Sequence, residues 1–173
     1  MNRKDFIKIV GGTTLGATLL PNTLLANTLG INHISSAQKI TILHTNDQHS
    51  RIEPFDDSYT RNPNQGGFAR RATLIQQIRS QENNVLLLDS GDIFQGTPYF
   101  NFFGGELEFK LMSMMKYDAS TMGNHDFDNG LEGFNKVLPN AKFPFICSNY
   151  DFKNTLLDGK TIPYKIFNKN GIK

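Results

Sequence analysis

Three short stretches concentrate the groups that can hold a metal ion or move a proton. They are "NDQH" with Asn46, Asp47 and His49, "DSGD" with Asp89 and Asp92, and "GNHDFD" with Asn124, His125, Asp126 and Asp128. Carboxylates and imidazoles bind divalent ions, and an amide oxygen adds a neutral ligand. Asp47 and His49 stand two residues apart. In an extended segment such side chains share a face, so one ion could take both. Asp92 follows Gly91, where the backbone can bend sharply, and its two oxygens could bridge two ions. His125 can donate a proton or hold a phosphate oxygen, and Asp128, three residues on, can orient that imidazole. Each stretch alone has a plainer use. Asp47 and Asp92 could cap turns, and Asp128 or Asn129 could cap a following helix.

The surrounding sequence decides whether the three stretches can meet. "KITILHTND" (Lys39–Asp47) is an apolar, β-branched run that ends in polar residues, which predicts a strand. A polar loop through "DDSYTRNPNQGG" follows. Phe68, Ala72, Ile75 and Ile78 recur at helical spacing within "FARRATLIQQIRSQ" (Phe68–Gln81). "NVLLLDSGD" (Asn84–Asp92) is a continuous apolar run, as in a strand buried on both faces. A loop rich in Gly, Pro and aromatic residues comes next, and then "ELEFKLMSMMK" predicts a helix with Leu107, Leu111, Met114 and Met115 inward. "YDASTM" predicts a short strand, "LEGFNKVLPN" a short helix, and "FPFICSNY" a further buried strand. The tail "TIPYKIFNKNGIK" predicts a hairpin arm turning at Asn170–Gly171. Strand, helix, strand, helix, strand, helix, strand implies an α/β fold with a mainly parallel sheet. In such a sheet ligands bind beyond the carboxyl ends of the strands, and all three polar stretches lie there.

The remaining polar and aromatic residues have ordinary roles. His44 is expected to be packed and hydrogen-bonded, Arg70 and Arg71 to form the wet face of a helix, and Tyr99–Phe103 to pack under a loop. Cys147, the single cysteine, sits in an apolar run and is expected to be a buried, inert thiol.

With 173 residues, 38% hydrophobic and 20% charged, the composition is that of one globular domain. Residues 1–37 are expected to be a signal peptide. Arg3, Lys4 and Lys8 precede an uncharged run from Ile9 to Leu25, and "SSA" at Ser35–Ala37 offers small residues for cleavage. The start, "NRKDFIK", resembles a twin-arginine signal with lysine in the second basic position. The run is short and interrupted by glycine and threonine, so no stable membrane span is expected, and the mature product is placed in the periplasm or outside the cell. Three of the 18 Lys+Arg and one of the 16 Asp+Glu lie in this segment, which leaves 15 of each beyond it. That neutral balance argues against a nucleic acid polymer or an anionic membrane surface as partner.

In order, "DQH", "GD" and "GNHD" resemble the opening motifs of the calcineurin-like metallophosphoesterases. "ITILHTNDQHSRIEPF", "GGFARRATLIQQIR" and "LLLDSGDIFQGTPYF" resemble more specifically the secreted 5′-nucleotidase branch. The resemblance covers the chain from about Ile40 onward. It implies a β-sandwich flanked by helices, in α/β-β/α layers, of which residues 38–173 are the N-terminal half. It implies two divalent metal ions, zinc, manganese or similar, and phosphate-ester hydrolysis with a nucleotide as substrate. Asp47 and His49 would bind the first ion, Asp92 both, and Asn124 the second. His125 would stabilise the transferring phosphoryl group, with Asp128 as its acidic partner. The family completes its site with later histidines, and this chain has none after His125. The nucleoside-binding domain is likewise expected downstream or on a separate chain, and residues 1–173 alone are expected to be inactive. A truncated non-catalytic remnant that binds metal weakly, and a phosphodiesterase or sugar-nucleotide hydrolase of the same superfamily, are the alternatives.

Overall fold

The computed structural model describes residues 38–173. The expected signal peptide lies outside them. The described part begins with β1 (Thr41–Thr45), α1 (Phe68–Gln81) and β2 (Val85–Asp89). Helices α2 (Pro98–Phe103) and α3 (Glu106–Met114) lead to β3 (Ala119–Ser120), a 3-10 turn at His125–Phe127 and α4 (Gly130–Val137). The three strands form one parallel sheet in the order β1-β2-β3. The register aligns Thr45 with Asp89 and Asp89 with Ser120, so the carboxyl ends of all three strands lie in a row. The segments bearing the three polar stretches leave the sheet together at that edge.

Successive strands that step the same way across a sheet require right-handed crossovers, which place α1 and α2–α3 on one face. The core agrees: Phe68 and Ile75 of α1 join Phe109 and Met112 of α3 in one buried cluster. Arg79 of α1 donates to the carbonyls of Met115 and Lys116 just past α3, at 2.5 and 2.7 Å. Five phenylalanines, Phe94, Phe109, Phe134, Phe143 and Phe145, are all buried, with neighbouring ring centroids 4.8–6.2 Å apart. They fill the space that tryptophan fills in many domains.

Several expectations need correction. The loop after β2 contains α2, started by Pro98 at its first turn, where a missing N–H costs nothing. Phe100 is buried there, whereas Phe102 is 82% exposed. Helix α3 buries Glu108, Phe109 and Met112 rather than Leu107 and Met114, and Met114 is 76% exposed. The apolar residues on both sides of this helix made the stripe ambiguous. "FPFICSNY" makes single parallel bridges, Phe145 to Ser120 and Ile146 to Ile162, in place of a continuous strand. The tail turns at Asn170–Gly171 as expected, but the antiparallel pairing across that turn is limited to Lys169 and Ile172. His44 is hydrogen-bonded to Ser90, at 2.7 Å, but is exposed rather than packed. Arg71 is half-buried and donates to Gln48 Oε1, so it is not on the wet face of α1. Cys147 is buried, as expected.

Candidate metal and phosphoester site

The loop after β1 is laced to the loop after β2. Asp47 N donates to Gly91 O (2.9 Å), His49 N to Asp92 O (3.0 Å) and Ser50 N to Ile93 O (2.8 Å). Asp47, His49 and Asp92 all adopt the left-handed conformation, with φ of 49°, 45° and 54°. For non-glycine residues this conformation costs on the order of 1–3 kcal/mol each and persists only where the surroundings enforce it. The expected extended "DQH" is therefore wrong in detail. A tight curl, not alternation along a strand, brings Asp47 and His49 to one side.

That curl places one ligand atom each of Asp47, His49 and Asp92 within 4.8 Å of one another. His49 Nε2 lies 3.8 Å from Asp47 Oδ1, and both side chains reach solvent. Two carboxylates and an imidazole suit zinc, manganese and similar divalent ions, so the donor set fits such an ion. Asn124 lies on the neighbouring loop, at the start of the 3-10 turn, and reaches solvent.

The "GD" and "GNHD" loops touch backbone to backbone. A Cβ on Gly91 would overlap Gly123 N, and one on Gly123 would overlap Asp92 Oδ1 and stand 2.6 Å from Asp92 N. Gly91 also has φ of 92°. Gly123→Ala therefore has to push the Asp92 carboxylate aside. Overpacking of this kind costs about 1–3 kcal/mol. Urea unfolding of the variant should show that loss, and zinc titration should show weakened binding. Parent stability together with parent affinity would contradict the packing described.

His125 is tied in at both ends. Its backbone N donates to Asp92 Oδ1 at 3.0 Å, and its Nδ1 lies 3.0 Å from Asp128 Oδ2. Its ring stands edge-on to that of His49, with centroids 5.3 Å apart. The hydrogen bond to Asp128 raises the His125 pKa, with the charges of Asp128, Asp92 and Asp126 adding to it. With Nδ1 engaged, Nε2 is the nitrogen left to meet a ligand.

Residues 40–172 match the calcineurin-like phosphoesterase family. The chain belongs to that family. It is 44% identical over 137 residues to a snake venom 5′-nucleotidase of Crotalus adamanteus, covering 75% of this chain and 23% of that protein. It is 44% identical over 140 residues to the human 5′-nucleotidase, covering 76% and 24%. Among solved structures, it superposes on the 5′-nucleotidase precursor of Thermus thermophilus with a TM-score of 0.70 and 35% identity, covering 76% and 26%. The Haemophilus influenzae NAD nucleotidase gives 0.69 and 35%, covering 76% and 27%. The chain thus spans about a quarter of the length of these relatives. Its α/β fold with a parallel sheet is the one their N-terminal metallophosphatase parts share.

The buried roles of two residues in the polar stretches, Asp126 and Asp89, escaped the sequence reading. Asp126 is 1% exposed and faces away from solvent. Its Oδ2 accepts from Asp92 N (3.0 Å) and Gly123 N (2.8 Å), and its Oδ1 from Ile93 N (2.9 Å) and Phe94 N (3.1 Å). Burial pushes its carboxyl up to about 6, while the N–H groups pull it down. Asp89, counted with the polar stretch after β2, is also buried and stands apart from the metal group. It accepts from Thr45 (2.6 Å), Gln48 (2.6 Å), Gly91 N (2.9 Å) and Ser120 (3.2 Å), and burial raises its pKa. An Asp inside a polar cluster carries no sequence mark that separates a ligand from a backbone clamp.

Proposed function

We propose that this chain carries the first part of a metal-dependent phosphate-ester hydrolase site of 5′-nucleotidase type. The observation that bears most weight is the meeting of Asp47, His49 and Asp92 beside the His125–Asp128 pair. Asp47 and His49 would hold one divalent ion, Asp92 would reach two, and Asn124 would hold the second. Zinc or manganese, when bound there, would polarise the phosphoryl group and acidify a water. The chain's own residues do the rest. Asp92 orients the His125 backbone, and Asp128 holds the imidazole and keeps it protonated to higher pH. His125 Nε2–H then faces the charge that develops on the phosphoryl oxygens. A nucleoside phosphate is the substrate class that the named relatives support. An exported product is supported by the basic start and apolar run of residues 1–37.

Titration of the purified chain with zinc and with manganese tests the metal part of the reading. Phosphate release from a nucleoside monophosphate, measured on a protein that carries the whole catalytic and nucleoside-binding parts, tests the chemistry. Binding that is lost in Asp47→Ala and Asp92→Ala is expected. Absence of binding in the parent chain would sink the metal assignment. Two tightly held ions per chain would refute the reading of a non-catalytic remnant, and weak binding would favour it.

A further inference from the structure

Glu108 lies in the first turn of α3, is 0% exposed and takes no part in the three polar stretches. Its Oε1 accepts a hydrogen bond from the Ser50 hydroxyl, and its Oε2 has no partner among the described residues. Burial raises its pKa, and none of the ion pairs among the described residues includes it. A buried carboxyl with one polar partner is costly to keep. What it holds explains its position. Ser50 is also 0% exposed, follows His49 directly and is left-handed at φ 54°. Every polar atom of Ser50 is fixed. Its N donates to Ile93 O, its carbonyl accepts from Ile52 N and Thr97 Oγ1 (both within 2.7–2.8 Å), and its hydroxyl goes to Glu108. The loop is thus fastened to β2's loop by backbone bonds and the Thr97 hydroxyl, and to α3 by the Ser50–Glu108 pair and by Gln48 Nε2 on Met112 Sδ (3.6 Å).

We propose that Glu108 is a positioning residue that holds His49 in its left-handed curl through Ser50. The proposal rests on the preceding assignment of His49 as a metal ligand only for its consequence in metal affinity; the positioning itself is a property of the chain without metal. Partners of this kind, which orient a ligand without touching the ion, typically alter metal affinity by about 10–100-fold when removed.

The test uses the full 173-residue chain, free of metal, with Glu108→Leu, Glu108→Gln and Ser50→Ala. Glu108→Leu removes an unpaired buried oxygen but leaves the buried Ser50 hydroxyl without its acceptor, so the two effects oppose and its unfolding midpoint should shift only modestly. Amide exchange at His49 and Ser50 should nonetheless accelerate roughly tenfold, the weight of one hydrogen bond, while β2 amides stay protected. Glu108→Gln keeps an acceptor for the Ser50 hydroxyl and should restore parent exchange. Ser50→Ala should accelerate exchange as Glu108→Leu does, and it supplies the answer if the leucine variant fails to fold. Parent exchange at His49 in both Glu108→Leu and Ser50→Ala would overturn the proposal. Zinc titration of the same variants then separates the two ideas. If the parent binds no zinc, the ligand assignment fails, while the exchange data still decide the positioning role.

Discussion

Asp126→Ala should cost this chain on the order of 4 kcal/mol of folding stability, because four N–H groups, two buried and two part-buried, lose their acceptor and each such loss costs about 1–3 kcal/mol before water enters. Domains of this size are stable by only about 5–15 kcal/mol, so the variant should unfold at a far lower urea concentration than the parent. Asp126→Asn is the sharper experiment. Oδ1 serves Ile93 and Phe94, and Oδ2 serves Asp92 and Gly123. An amide offers one oxygen and one NH₂, so one of these pairs must face a donor. The asparagine variant should fall between parent and alanine in stability. It should also lose metal affinity, because the same carboxylate joins the Asp92 loop to the Gly123 loop. A loss below about 1 kcal/mol in the alanine variant would mean that the N–H groups find other acceptors, and the clamp would be rejected.

This residue also marks where sequence stops being informative. The strands and α1 were legible because apolar spacing reports burial directly. Leu86, Leu87 and Leu88 read as a strand covered on both sides, and Phe68 and Ile75 as one face of a helix. The convergence of the three polar stretches followed from parallel strands alone, and the register aligning Thr45, Asp89 and Ser120 bears it out. Polar residues gave less. Asp47 and Asp126 have the same side chain, yet one reaches solvent beside His49 and the other is sealed against four backbone amides. That difference depends on where Gly91 and Gly123 let two loops touch, and spacing along the chain does not encode it. Glu108 was hidden for a related reason. In "ELEFKLM" a glutamate between apolar residues reads as surface, and only the fold places it under Ser50.

In a protein that carries the whole catalytic and nucleoside-binding parts, His125→Ala should lower turnover of a nucleoside monophosphate by roughly 10²–10⁴-fold under metal saturation, the span that a positioned acid or base contributes. Substrate KM and metal affinity should change far less, since the side chain touches none of the Asp47, His49 and Asp92 ligand atoms by hydrogen bond and its tie to Asp92 runs through the backbone N–H. Asp128→Asn provides the internal control. The Asp128 hydrogen bond is the largest cause of the raised His125 pKa. If the imidazolium is the active form, activity is present below that pKa and is lost as pH rises through it. Removing the Asp128 charge lowers the pKa, so the alkaline limb of the rate profile should move to lower pH, with the low-pH rate less affected. An NMR titration of the His125 ring in the metal-free chain should move the same way. A variant in which the ring titration moves and the rate profile does not would leave His125 outside the chemistry. Full turnover in His125→Ala would remove it altogether and shift the catalytic burden to the metal-bearing side of the site.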